Sequence, residues 1–149
     1  MSDLHIDDFY HDAGVALARL YASFPRKTTL YVEDISGADT PDEFGLHCDR
    51  FMSCFSTLLW LAETGYLRYE STIRQEALDQ TVLTERGFLL LSARYPLPSR
   101  IPLQSDTPVS VIENSQTNIQ QLRAALKSCS SIDIAHIVQF LLDHSRNYR

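Results

Sequence analysis

Residues 40–65 read TPDEFGLHCDRFMSCFSTLLWLAETG, and the fold turns on how they are read. Thr40, Pro41 and Glu43 fit an N-cap, a first-turn proline and a capping-box glutamate, in which the hydroxyl and the carboxylate satisfy orphan amides reciprocally. Gly65 fits the left-handed residue that stops a helix. Between them Phe44, Cys48, Phe51, Phe55, Leu58 and Ala62 recur at three-and-four spacing, and Met52, Cys54, Leu59 and Leu61 widen that face. The apolar arc then covers about half the circumference at roughly 100° per residue, so the spacing predicts a long helix covered on more than one side, the spine of a core. Gly45 is its weak point, since an interior glycine costs about 1 kcal/mol against alanine, and the helix can begin near Leu46 after a short first turn.

Upstream of the spine, Asp7 or Asp8 caps a helix whose apolar face is Phe9, Ala13, Ala16, Leu17, Leu20, Tyr21 and Phe24, with Pro25 as its stop. Residues 28–35, TTLYVEDI, suit a short strand, and SGADTP supplies turn chemistry. Downstream, Leu67 and Tyr69 mark one strand, a polar turn follows over 74–79, and residues 80–83 form a second strand, together a β-ribbon. The rival is one continuous helix over 73–94. The glycine stop before this segment and the Thr84 cap after it favour the ribbon, followed by the helix TERGFLLLSAR.

Residues 95–108 hold four of the six prolines and read as a connector. Beyond it, Ile119, Leu122, Leu126 and Cys129 stripe one helix. Ser131 caps another, bearing Ile134, Val138, Leu141 and Leu142, and a short SCSS turn makes the two a helical hairpin. The organisation predicted is a core over 1–94, a connector over 95–110 and a hairpin over 111–149, the last either part of the same globule or a dimerisation element.

At 149 residues and 44% hydrophobic content the chain suits one domain. No apolar run approaches the roughly 18 residues a membrane span needs, and the first residues are acidic where a signal peptide is basic. The expectation is a soluble cytoplasmic protein without a membrane partner. Cys48, Cys54 and Cys129 make no paired framework, and the two in the spine are read as buried small apolar groups. The formal net charge of −6 opposes long-range attraction to nucleic acid.

The stretch LAETGYLRYE followed by TVLTERGFLLL resembles the corresponding part of MarR-type winged-helix proteins, in which a helix ends in glycine, a wing strand begins, and a Leu-Thr-Glu-x-Gly turn starts the next helix. The matching residues are Gly65, Tyr66, Leu67 and Arg68, then Leu83, Thr84, Glu85, Arg86, Gly87 and Leu90, and the likeness covers residues 7–94. It implies an α+β fold with a winged-helix core of helix, short strand, long helix, ribbon and helix, and it makes the spine a recognition helix. Two features depart from that pattern. A strand and turn stand where the family has a short helix, and the outward side of the spine (Asp49, Arg50, Ser53, Thr57, Trp60 and Thr64) offers only Arg50 as a base reader.

His5, Asp7, Asp8, His11 and Asp12 place imidazoles and carboxylates on adjacent turns, but acids there also complement the helix dipole. His47, Cys48, Cys54, Cys129, His136 and His144 lack zinc-ligand spacing. Without a phosphate loop or nucleophile elbow, the expectation is no catalysis, no metal and no cofactor. Trp60, set in a small polar arc, reads as an interface anchor, and the hairpin stripes at Leu122, Leu126, Val138 and Leu141 read as surface for a second chain. The preferred reading is therefore a non-catalytic adaptor or complex subunit, a homodimer or a protein docked on a partner. The alternative is a dimeric DNA-binding transcription regulator touching phosphates through Arg50, Arg68, Arg74 and Arg86, although Glu70, Glu76, Asp79 and Glu85 are interleaved with these cations.

Overall fold

The computed structural model describes residues 3–99, 108 and 116–145. It is an α+β fold of six helices and a small antiparallel sheet among those residues. Helix α1 (Leu4–Ser23) starts a turn earlier than the sequence suggests, with Asp3 rather than Asp7 or Asp8 at its N-cap. It is the central element. Ala13, Ala16, Leu17 and Leu20 are fully buried along it, and Phe9, on the same stripe, is half-buried.

Strand β1 (Thr28–Tyr31) is shorter than the predicted 28–35, because residues Glu33–Ser36 close one helical turn, α2, bonded back to Val32 and Glu33. The spine helix, α3 (Asp49–Glu63), is also shorter than predicted. Residues 37–48 are a loop. Gly45 takes φ +78°, outside the helical region, and local bonds from Asp39 and Asp42 replace the expected Thr40 and Glu43 caps. Cys48 is thus an exposed N-cap residue and Phe44 stands in solvent, whereas Phe51, Cys54, Phe55, Leu58 and Leu61 are buried as the periodicity requires.

After α3 the chain forms a ribbon. β2 (Leu67–Arg68) and β3 (Ser71–Ile73) lie along one edge of β4 (Ala77–Leu83), with Leu67 opposite Leu83 and Ile73 opposite Ala77. β1 pairs with the other edge, Thr28 opposite Thr81 and Leu30 opposite Leu78, across an irregularity beside Gln80 at φ +53°. The turn is tighter than predicted, spanning 74–76, so Ala77 to Asp79 are strand. The continuous helix over 73–94 does not form. Thr84 caps α4 (Glu85–Ser92), its Oγ1 accepting from the Gly87 amide at 3.1 Å and donating to the Gly65 carbonyl at 2.6 Å.

The predicted connector falls mostly outside the described residues, but its first residue and the chain just before it are clasped to residues 116–118, within the predicted hairpin segment. The Tyr95 amide donates to Gln116 O at 2.6 Å and the Asn118 amide to Ala93 O at 2.8 Å. From that clasp run α5 (Asn118–Ser128) and α6 (Ser131–His144), capped by Thr117 and by Ser130 rather than Ser131.

The hairpin packs on α1. Leu122, Val138 and Leu141 have no exposed surface, and Leu126 packs beside them on the same core. This corrects the assignment of these four residues to a surface for a second chain. Gly14 supplies the reason: a Cβ there would sit 3.1 Å from Val138, 3.2 Å from Leu122 and 3.6 Å from Leu126. The bare backbone leaves room for this close approach, which a Cβ would meet with tight contacts to Val138 and Leu122, and the hairpin's apolar stripes are buried inside its own chain.

Candidate functional site: the aromatic cleft and the arginines

Trp60 lies on the last turns of α3, where the helix runs past the N-terminal half of α1, and it remains 37% exposed. Phe9 of α1 meets its ring edge-on at 5.2 Å, and Tyr66, just beyond the Gly65 turn, lies at 6.3 Å. With Tyr10, and with His136, Gln139, Phe140, Leu142 and Asp143 of α6, these rings line an open cleft of about 820 Å³. Arg86 closes one side. Its guanidinium lies over the Tyr66 ring at 4.6 Å, donates to Thr64 O at 2.5 Å and to Ser145 Oγ at 2.9 Å, and leaves its buried Nε without a hydrogen-bond partner. Tyr66 Oη and Ser145 Oγ are 2.6 Å apart, which fixes the end of α6 against the cleft.

A second trough, of about 640 Å³, runs from the far side of the Phe9–Trp60 pair between α1 and α3, past Ile6 and Met52. The two concavities share Phe9 and Trp60, so these rings form a ridge in one groove. Such an arrangement of aromatics, apolar in the trough and mixed with Arg86, His136, Gln139 and Asp143 in the cleft, suits burial of apolar anchors with polar neighbours.

The four arginines offered as DNA contacts part company. Arg50 turns inward: Nη1 and Nη2 donate to Asp12 Oδ2 and Oδ1 at 2.6 and 2.7 Å, Nε faces Asp8 at 3.5 Å, and the Asp12 side chain is 1% exposed. The bond to Asp12 raises the guanidinium pKa further, so the pair is a fixed internal charge couple. Arg86 is likewise held by Thr64, Ser145 and Tyr66. Neither is a free phosphate contact, which corrects that part of the alternative reading. Arg68 and Arg74 do face solvent on the ribbon.

The acidic start of α1 resolves in the same way, with His11 Nδ1 at 3.0 Å from the buried Asp12. Among the described residues no group of three His, Cys, Asp or Glu is placed to hold a metal ion. Burial raises the Cys54 thiol to about 12, which makes it a packing group rather than a nucleophile.

One constellation was missed by sequence reasoning. His47, on the loop before α3, lies with its side chain 6% exposed between two carboxylates: Nδ1 is 2.9 Å from Asp39 and Nε2 is 3.1 Å from Glu76 at the ribbon turn. Its ring stacks on Phe51 at 3.9 Å. Burial works against the charged imidazole, but the bonds to Asp39 and Glu76 outweigh it and raise the pKa. Asp39 is lowered by the Cys48 amide and by His47. The carboxylates sit at opposite edges of the ring, so they clamp it and do not converge on a common ion. Glu76 is 29 residues away, and no local pattern announces the contact.

No protein-family model matches the chain, and no curated protein or solved structure matches it. No helix among the described residues is long and apolar enough to cross a membrane.

Proposed function

We propose that the protein is a non-catalytic winged-helix module that binds another protein through the groove around Trp60. The winged-helix reading is supported by the order α1, β1, α3, ribbon and α4, and by the one-turn α2, which stands where the resembling family has its short helix. The binding reading is carried by one observation: a tryptophan and a phenylalanine are held as a ridge between a mainly apolar trough and a cleft of mixed lining, where Arg86, His136 and Asp143 stand beside the aromatics, instead of being covered by the hairpin that packs beside them. The occupant that fits is a linear segment of a partner protein whose successive apolar side chains straddle that ridge. Trp is among the residues most often found to dominate binding energy when truncated.

The rival, a dimeric DNA-binding regulator, retains only Arg68 and Arg74 of its four arginines as exposed cations, against a net charge of −6. Duplex affinity is expected no tighter than the nonspecific range, roughly 10⁻⁴ to 10⁻⁶ M at physiological salt.

The test begins with proteins retained on the immobilised full chain from nuclease-treated native extract. Each is then purified and titrated calorimetrically against wild type and Trp60→Ala. Binding that survives nuclease and weakens about tenfold or more with the variant, the loss of one anchor, supports the groove. Nanomolar, sequence-selective DNA binding lost on Arg74→Ala would replace the reading with its rival.

A further inference from the structure

Residues 39–47 present a second surface of opposite shape. Phe44 is 78% exposed and Leu46 59% exposed, yet the backbone beneath them is closed by hydrogen bonds. Asp42 Oδ1 accepts from the Phe44 amide at 2.8 Å and the Leu46 amide at 2.9 Å. The Asp42 amide donates to Leu46 O at 2.9 Å, and the Gly45 amide to Asp42 O at 2.9 Å. The base of the loop is pinned by His47 between Asp39 and Glu76. Two large apolar side chains are thus presented to water on a fixed support, and a partner that covers them gains the hydrophobic term without ordering the loop.

Charge identifies that partner. Residues 28–49 contain six carboxylates, at Glu33, Asp34, Asp39, Asp42, Glu43 and Asp49, and no lysine or arginine. The other thirteen acids of the chain are matched by thirteen lysines and arginines, so the entire net charge of −6 belongs to this segment. Asp42 and Glu43 immediately precede Phe44 and are exposed. At physiological ionic strength such a field acts over about 8 Å. It repels phosphate backbones and anionic lipid, and it favours a protein surface rich in lysine and arginine.

We propose that this loop is an insertion element that seats Phe44 in an apolar pocket of a partner protein, with lysines and arginines on the pocket rim meeting Asp42 and Glu43. The surface is separate from the Trp60 groove and does not rest on it. Its two parts have distinct roles: Phe44 and Leu46 supply the buried contact, and the carboxylates supply steering and register.

The experiment places the photocrosslinking residue p-benzoylphenylalanine at position 44 of the full chain in native cells, with position 127, an exposed site on α5, as control. The expected result is a protein adduct at 44 that is missing at 127, mapped to apolar residues flanked by lysine or arginine. That protein, once purified, should bind Phe44→Ala about tenfold more weakly than wild type. It should also bind more weakly with Glu43→Gln or added salt, and bind Trp60→Ala as well as wild type. Phe44 is exposed, so these variants fold; circular dichroism checks it. The proposal falls if position 44 gives no adduct, the same adducts as 127, or adducts to lipid or nucleic acid. It also falls if Phe44→Ala binds the adduct protein within about twofold of wild type, a difference of only about 0.4 kcal/mol. A partner lost with Trp60→Ala but kept with Phe44→Ala would leave the groove standing and remove the loop.

Discussion

At the C-terminal end of α3, Trp60 is one wall of a concavity assembled from α1, α3 and α6. At the N-terminal end of the same helix, Phe44 stands out of a loop that buries almost nothing and is held by carboxylates. The first surface is a by-product of core packing: its rings are held by the helices that also bury the core, and Trp60 is left 37% exposed. The second depends mainly on polar tethers, with the His47 ring stacked on Phe51 as a packed contact, and carries its own charge. The difference teaches that the two ends should fail under different insults, the groove with the core and the loop with the ionisation of His47.

The largest effect should come from the core behind the groove. Leu141 is fully buried, and Leu141→Asp places an unpaired carboxylate there, a change expected to cost more than about 4 kcal/mol. The cooperative transition in urea should be lost, or its midpoint should collapse. A folded monomer released from a dimer would contradict the packing of α6 on α1.

Arg50 lies in the first turn of α3, between the two ends, and ties the helix to α1. Arg50→Ala strands the buried Asp12 carboxylate. We expect a loss of about 2–3 kcal/mol in urea denaturation, on the low side for a buried pair because the guanidinium side chain is 32% exposed. Arg50→Met combined with Asp12→Leu should recover much of it, since apolar replacement of such pairs is often neutral. Little change on Arg50→Ala would mean the side chain is free to work elsewhere.

The loop should respond to pH where the groove does not. The pKa of His47 is raised from 6.5, so the stability it lends is complete below that value and is lost as pH rises through the raised one. Asp39 is lowered from 3.8, so its contribution is present above that value and fades as pH falls through the lowered one. The loop is held best between the two ordinary values. Amide exchange at Phe44 and Leu46, corrected for intrinsic rate, should accelerate above neutral pH in wild type. In His47→Gln it should already be fast and show no such step, while the amide of Tyr66 beside the groove stays constant in both.

The smallest effect belongs to Phe44→Ala, which should change stability by less than about 0.5 kcal/mol because its ring contacts little. A larger loss would mean that the ring packs on the protein and does not project from it.

What the sequence determined by itself was local. The apolar repeat of α1, that of α3 from Phe51 onward, the Gly65 stop, the ribbon and the Thr84 cap depend on residues within a turn or two, and each is found where the pattern puts it or within a few residues, whereas Phe44 and Cys48 fall outside the helix. The capping box at Thr40 and Glu43 failed although it is local. Asp42 took the Phe44 and Leu46 amides and Asp39 the Cys48 amide, donors that a continuous helix would have given to backbone carbonyls, and Glu76 from the ribbon held His47, so a loop replaced two turns of helix. Only the tertiary structure decided the rest. Asp12 and Arg50 are 38 residues apart, and the hairpin stripes meet Gly14 across more than a hundred. Exposure of Trp60 and burial of Leu141 depend on which helices lie alongside, whereas helical periodicity shows that a face is apolar and is silent on what covers it.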